Sequence, residues 1–355
     1  MQLGYNEIMI VSKYFDDIND FINLEIGVKR FQGNMERFHF NPIPLNQYSR
    51  KLFPNIETFH IYNIYDEVFE DGRIFKYVIW YKVDYSRYLE EKEEMNEYKN
   101  IEYTQEDRKK YGNTIPNEVT SLGYWCFSLC DDIQEIEIPT SVTEIRSYCF
   151  ERCSSLQTIT IPTNVSKIGD SCFYKCSSLQ TITIPTNVSK IRECCFYGCS
   201  SLTTINIPPS VTKIGNRCFE ECYSLTSINI EDVKYISEKR IFMNEPVLIS
   251  IKILENLTII NGKNIEKKDI NEFIIPSSIT KLGDYCFEYC YSLQTINIPT
   301  SVSKIGDYCF KECTSLTSIN IPSSITSFGK GCFYHCRCEE ELKKNKTIPE
   351  YCFEE

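Results

Sequence analysis

Residues 154 to 176 read SSLQTITIPTNVSKIGDSCFYKC and residues 177 to 199 read SSLQTITIPTNVSKIRECCFYGC, with four of 23 positions changed. The unit recurs beyond these two copies. Pro116, Pro139, Pro162, Pro185 and Pro208 stand 23 residues apart, and Pro276, Pro299 and Pro322 resume the series. A fixed period of this length dictates a stacked array, in which each coil is stable only when its neighbours cover its apolar residues.

Within one coil, Leu156, Ile159 and Ile161 are spaced as on a short strand with one buried face, so Thr158 and Thr160 are predicted to point outward. Pro162 cannot donate to a ladder and ends the strand, and Val165 and Ile168 return the chain to the core. Gly169 and Asp170 make the next turn. Asp170 is expected to cap a short helix that buries Cys172, Phe173 and Cys176 on one face; Asn216, Asp284 and Asp307 recur at the capping position, with Ser147 and Glu193 as looser matches.

Sixteen of the 19 cysteines fall at that one place in the repeat, as the pairs Cys126/Cys130, Cys149/Cys153, Cys172/Cys176, Cys195/Cys199, Cys218/Cys222, Cys286/Cys290, Cys309/Cys313 and Cys332/Cys336. Free cysteine packs as a small apolar residue, so this periodicity predicts a core ladder of reduced thiols rather than a disulfide framework. Cys332, His335, Cys336 and Cys338 have zinc-like spacing, but two of them are the ordinary ladder pair, and no metal or other cofactor is expected.

The unit resembles the leucine-rich repeats of the BspA type, also called the Treponema pallidum type, over about residues 113 to 338. The 23-residue length, the Ile-Pro step, V-x-x-I and C-F-x-x-C recur together, and Cys replaces the Ala that usually precedes Phe. The resemblance implies an α/β repeat solenoid with a parallel strand ladder and short helical turns, and a protein-binding role in place of catalysis. Two coils are degraded at about 231–275: Glu231 replaces the proline, both cysteines are absent, and NGKNIEKKD stands in place of the Cys-Phe turn. Phe242 is expected to keep register with Phe219, and Leu248, Ile251 and Ile253 to keep the strand, with continuous stacking.

Four regions follow: 1–62, an N-terminal helical cap with a diverged first strand at Ile56, Phe59 and Ile61; 63–112, a strand over RIFKYVIWYKVDY followed by the charged segment SRYLEEKEEMNEYK; 113–338, the repeats; and 339–355, a C-terminal cap. Leu3, Ile8, Val11, Phe15, Ile18, Phe21, Ile22 and Val28 recur at mostly three- and four-residue steps, predicting short helices, with a start at Asp16-Asp17. The first of these residues, followed by VKRFQ, also resemble an F-box-like motif. That resemblance implies an alternative role for 1–62, as the adaptor-binding part of a ubiquitin-ligase substrate receptor.

A formal charge of -11 and a pI near 5.1 argue against a nucleic-acid surface, since phosphate needs a basic stripe that is absent. No stretch is long enough to span a bilayer, and the start lacks the pattern of a cleavable signal, so a cytoplasmic protein without membrane insertion is expected. A cell-surface adhesin is a further alternative, because BspA-type relatives include surface proteins. His39, His60 and His335 lie in no nucleophile motif, and no phosphate-binding loop is present, so no catalytic residues are expected. The expected function is docking of a protein partner on the strand face, at Thr158, Thr160, Thr181, Thr183, Thr204, Asn206, Ser227, Asn229 and Lys252, flanked by Glu135 and Glu137.

Overall fold

Two segments of each 23-residue coil are strands, and both pair with the same segment one coil away. In the computed structural model, which describes residues 5–12, 14–92 and 95–355, the chain divides into two units: residues 1–103 with 118–121, and 104–117 with 122–355.

The second unit is a solenoid. Its first ladder contains the parallel strands Glu135–Glu137, Thr158–Thr160, Thr181–Thr183, Thr204–Ile207 and Ser227–Ile230, with Ile136, Ile159, Ile182, Ile205 and Ile228 in register and buried. A second ladder pairs Lys167–Ile168 with Glu144–Ile145, and Lys190–Ile191 with Lys213–Ile214. Gly169 belongs to this ladder's edge, where a Cβ would stand 2.2 Å from the Ser147 nitrogen, so the coils approach there only without a side chain.

The third side of each coil corrects the expected short helix. It is a pair of tight turns, closed in one coil by Glu151 N–H to Tyr148 O and Cys153 N–H to Phe150 O. Tyr148, Arg152, Ser171 and Lys175 have φ of 61°, 55°, 52° and 56°, a left-handed conformation that a right-handed helix excludes. This geometry turns alternate N–H groups along the stacking axis, where a helix would have consumed them internally. Tyr148, Phe150 and Arg152 N–H then donate to Asp170, Cys172 and Tyr174 O at 3.0, 2.9 and 2.7 Å. Asp170 likewise caps no helix. The polar side chain at its position bonds across coils instead: Ser147 Oγ accepts from Asp170 N–H, Asp284 Oδ1 from Asp307 N–H, and Asp307 Oδ1 from Lys330 N–H, at 3.0 to 3.1 Å.

The core stacks what the repeat supplies. Phe127, Phe150, Phe173, Phe196 and Phe219 lie 5.3 to 5.8 Å apart with planes within 10°. In five of the eight pairs the second cysteine donates to the phenylalanine carbonyl of the preceding coil, as in Cys153 Sγ to Phe127 O and Cys176 Sγ to Phe150 O, both 3.0 Å. A buried thiol thus fills a small apolar space and gives a strained turn carbonyl a second donor.

Residues 231–275 break this pattern. Val233–Ile236, Arg240–Met243 and Val247–Lys252 form an antiparallel meander, whose last strand pairs in parallel with Lys281–Leu282. Leu248 and Ile251 therefore do not extend the first ladder, contrary to expectation. Ile259–Ile260 takes the place beside Ser227–Ile230. Without the proline that ends each strand, the chain runs on through Lys252 and pairs with itself. Phe242 lies 4.9 Å from Phe287 and rejoins the phenylalanine series that runs on through Phe310 and Phe333.

An asparagine completes the pairing at the C-terminal side of each of two separate strand ladders. Asn261 receives Ile230 N–H on Oδ1 and donates from Nδ2 to Ile230 O, each at 2.7 Å. Asn320 does the same to Ile298, at 2.6 and 3.0 Å. One primary amide replaces the N–H and C=O that a further strand would have offered.

In the first unit, helices Tyr5–Ser12, Ile18–Gly27 and Gln47–Arg50 precede three parallel strands, Thr58–Ile61, Lys76–Ile79 and Asn96–Tyr98. Asp17 caps the second helix by accepting from Asn19 and Asp20 N–H. Phe21, Phe38, Phe53 and Phe59 share one buried cluster, so the helices cover the first strand. The charged segment after Tyr85 forms a helix, Tyr85–Glu91, but ends as the strand Asn96–Tyr98; Glu93 and Glu94, like Leu3, lie outside the described residues.

Candidate protein-docking face

The first ladder sets its outward residues in rows. Glu135, Thr158, Thr181, Thr204 and Ser227 stand side by side in one row; in the other, Glu137 is beside Thr160, and Thr183 is beside Asn206 and Asn229. Neighbouring strands repeat at about 4.8 Å, so each row presents one short hydroxyl or amide per step. Thr158, Thr160, Thr181, Thr183, Asn206 and Asn229 are exposed, and Thr204 and Ser227 are half-buried. The inward isoleucines fix this arrangement, because a one-residue slip would turn the apolar row to solvent. At the first coil the face meets a groove of about 790 Å³, lined in part by Asn113, Asn117, Asp132, Glu135 and Glu137.

Lys252 is not on this face. It ends the strand Val247–Lys252, near the turns, with Nζ 5.8 Å from the Tyr289 ring. Ser250, two residues earlier on the same strand, is buried: its hydroxyl donates to Cys286 O at 2.6 Å and accepts from Arg240 Nε at 2.5 Å. The place beside Ser227 is held by Ile259. Thr295, Asn297 and Ser318 belong to a separate three-stranded sheet.

Arg240 and Glu288 form an ion pair at 4.0 Å, and both side chains are almost fully buried. Burial pushes the Glu288 carboxyl above its ordinary range, opposed by the Arg240 charge. The repeat pattern gave no sign of this pair, because Arg240 lies where the sequence period has lapsed.

The zinc-like cluster does not converge. His335 Nδ1 faces Glu312 at 3.1 Å on the surface, Cys336 Sγ faces Cys338 Sγ at 3.6 Å, and Cys332 hydrogen-bonds Cys352. His39 lies 3.6 Å from Glu57, while His60 stacks on Phe40 and burial lowers its pKa. The apolar residues behind the F-box-like resemblance are used within the first unit: Ile8 and Phe21 are buried, and Phe15 and Ile18 pack on the same cluster as Phe59. No helix among the described residues is long and apolar enough to cross a membrane.

An array of such coils, with parallel strand ladders and a turn side built on C-F-x-x-C, is the architecture of leucine-rich-repeat proteins. The BspA-type leucine-rich repeat region, in six copies, matches residues 111–226, 167–294 and 280–355. The chain belongs to that family, a non-enzymatic scaffold and a general protein-interaction fold. Among solved structures, a leucine-rich repeat protein from Eubacterium ventriosum is 26% identical, with 67% of this chain and 58% of that chain covered and a TM-score of 0.37. A leucine-rich cell surface protein from Faecalibacterium prausnitzii is 26% identical over 63% of this chain and 72% of that one, at a TM-score of 0.31. The T. pallidum leucine-rich repeat protein is 24% identical over 60% and 83%, at 0.29. The chain thus spans less than two thirds of the first of these, and no curated protein matches it.

Proposed function

We propose that the protein is an interaction module that docks a protein partner on the first strand ladder, centred on Thr181, Thr204, Asn206, Ser227 and Asn229. The observation that carries this reading is the register: short polar side chains of successive coils form two continuous, accessible rows over a rigid apolar layer. Such rows let a partner approach the backbone closely and present hydrogen-bonding groups worth about 0.5 to 1.5 kcal/mol each. They lack the aromatic and arginine anchors of a hot spot, so affinity is modest and gains from several simultaneous contacts. Specificity comes from the acidic flank, where Glu135, Glu137 and Asp132 line the first-coil groove and favour a basic segment of the partner.

The test is affinity purification with the full chain, followed by the double substitution Thr204→Arg with Asn229→Arg. Binding of the captured partner is expected to fall at least about tenfold with the fold intact. Undiminished binding by the folded double variant moves the site away from this face.

A further inference from the structure

On the turn side, the regular coils bond to the next through three N–H groups each. Ser171, Phe173 and Lys175 donate to Glu193, Cys195 and Tyr197 O, and Cys194, Phe196 and Gly198 donate to Asn216, Cys218 and Glu220 O. At the C-terminal end, where coils run out, the turn Glu350–Phe353 and one carboxylate substitute: Gly331 and Phe333 N–H donate to Tyr351 and Cys352 O, and His335 N–H to Glu339 Oε2.

The coil containing Cys218 and Cys222 differs. Its equivalent donors are the N–H groups of Arg217, Phe219 and Glu221, and none meets an acceptor among the described residues. Arg217 and Glu221 keep the left-handed φ of the regular coils, 55° and 61°, so these groups keep their direction along the stacking axis. Arg217 and Phe219 border a cleft of about 130 Å³, with Lys252, Tyr285, Glu288 and Tyr289 on its other walls, and Glu221 follows them just outside its lining. The carbonyls across the cleft are already occupied. Ser250 Oγ donates to Cys286 O, and Arg240 Nη1 to Glu288 O at 3.1 Å. The interruption thus supplies donors to the later coil and leaves the earlier one without acceptors.

The charges in the cleft are also uneven. Arg217 is paired with Glu220, and Arg240 with Glu288, whereas Lys252 makes no ion pair among the described residues. One net positive charge is left in a chain whose formal charge is -11.

We propose that this cleft binds an extended acidic peptide segment of a partner protein. Its alternate carbonyls accept from Arg217, Phe219 and Glu221 N–H, as the next coil's carbonyls do elsewhere, and a carboxylate side chain meets Lys252. The spacing selects a peptide over a small oxyanion, because these three donors serve carbonyls two residues apart, beyond the reach of one anion. The site is independent of the strand face.

Residue-resolved amide hydrogen exchange by NMR on the full chain tests it. In the free protein, Arg217, Phe219 and Glu221 are expected to exchange about 100-fold faster than Ser171, Phe173 and Lys175. A millimolar acetylated and amidated pentapeptide of alternating Gly and Glu is expected to slow the three amides about tenfold. Its Lys counterpart leaves them unchanged, and Lys252→Glu reverses that preference. Three findings each overturn the proposal: equal protection in the free protein, no slowing by the Glu peptide, or inorganic phosphate slowing Phe219 as much as the peptide does. The last would make the cleft a small-anion site.

Discussion

The coils between Glu135 and Ile230 and the segment from Glu231 to Ile275 perform the same task by opposite means. In the regular coils the backbone does it. Translation by one coil brings N–H opposite C=O, Phe over Phe and Cys under a carbonyl, so the outward side chains of the strand rows have no structural duty. In the interrupted segment translation fails, and side chains replace the backbone: Arg240 and Ser250 cap carbonyls of the following coil, Asn256 Nδ2 donates to Leu225 O, and Asn261 forks onto Ile230. Periodicity therefore frees the regular surface for recognition, while its loss concentrates polar residues in the interior.

The largest expected difference between the two regions is in alkaline solution. Burial pushes the thiols of Cys172, Cys176 and Cys199 well above their ordinary range, and that of Cys195 up to about 12. These groups stay protonated in the folded chain while the unfolded chain ionises. Their contribution is fully present below about pH 8.5 and is lost as pH rises toward their folded values, by about 1.4 kcal/mol per thiol per pH unit. No cysteine lies between Cys222 and Cys286. Hydrogen exchange at pH 8 and pH 10 is expected to show the regular coils loosening before the antiparallel meander; the reverse order would contradict a buried thiol ladder.

Next in size is Arg240→Ala, which leaves Glu288 buried and unpaired and should cost about 3 to 5 kcal/mol in urea unfolding. Arg152→Ala, at an exposed turn position of a regular coil, should change stability by less than about 0.5 kcal/mol. Comparable losses would erase the contrast between regions.

Smaller again is Cys172→Ser, expected to cost about 1 to 3 kcal/mol because it places a hydroxyl in an apolar stack. Cys176→Ser should cost less, since its hydroxyl inherits the bond to Phe150 O. Equal costs would mean that this bond contributes nothing.

The smallest stability effect belongs to Thr204→Arg with Asn229→Arg, within about 0.5 kcal/mol for each outward position. A large drop in Tm would show that the rows are structural after all.

The sequence by itself determined the solenoid, its inward residues and the two polar rows, because a 23-residue period forces every coil to repeat the solution of its neighbour. Thr181 and Asn229 could be placed outward from Ile182 and Ile228 alone. It also located the interruption at Glu231. The tertiary structure alone decided what the breaks in pattern became: that the turn side is left-handed turns rather than a helix, that Ser250 points inward and Lys252 lies off the strand face, and that Arg217 and Phe219 face a cleft. These outcomes turn on hydrogen bonds between residues 22 to 48 positions apart, such as Phe150 to Cys172 and Arg240 to Glu288. Local propensity does not encode such pairings; they are settled by which partner each buried N–H and C=O finds once the coils have stacked.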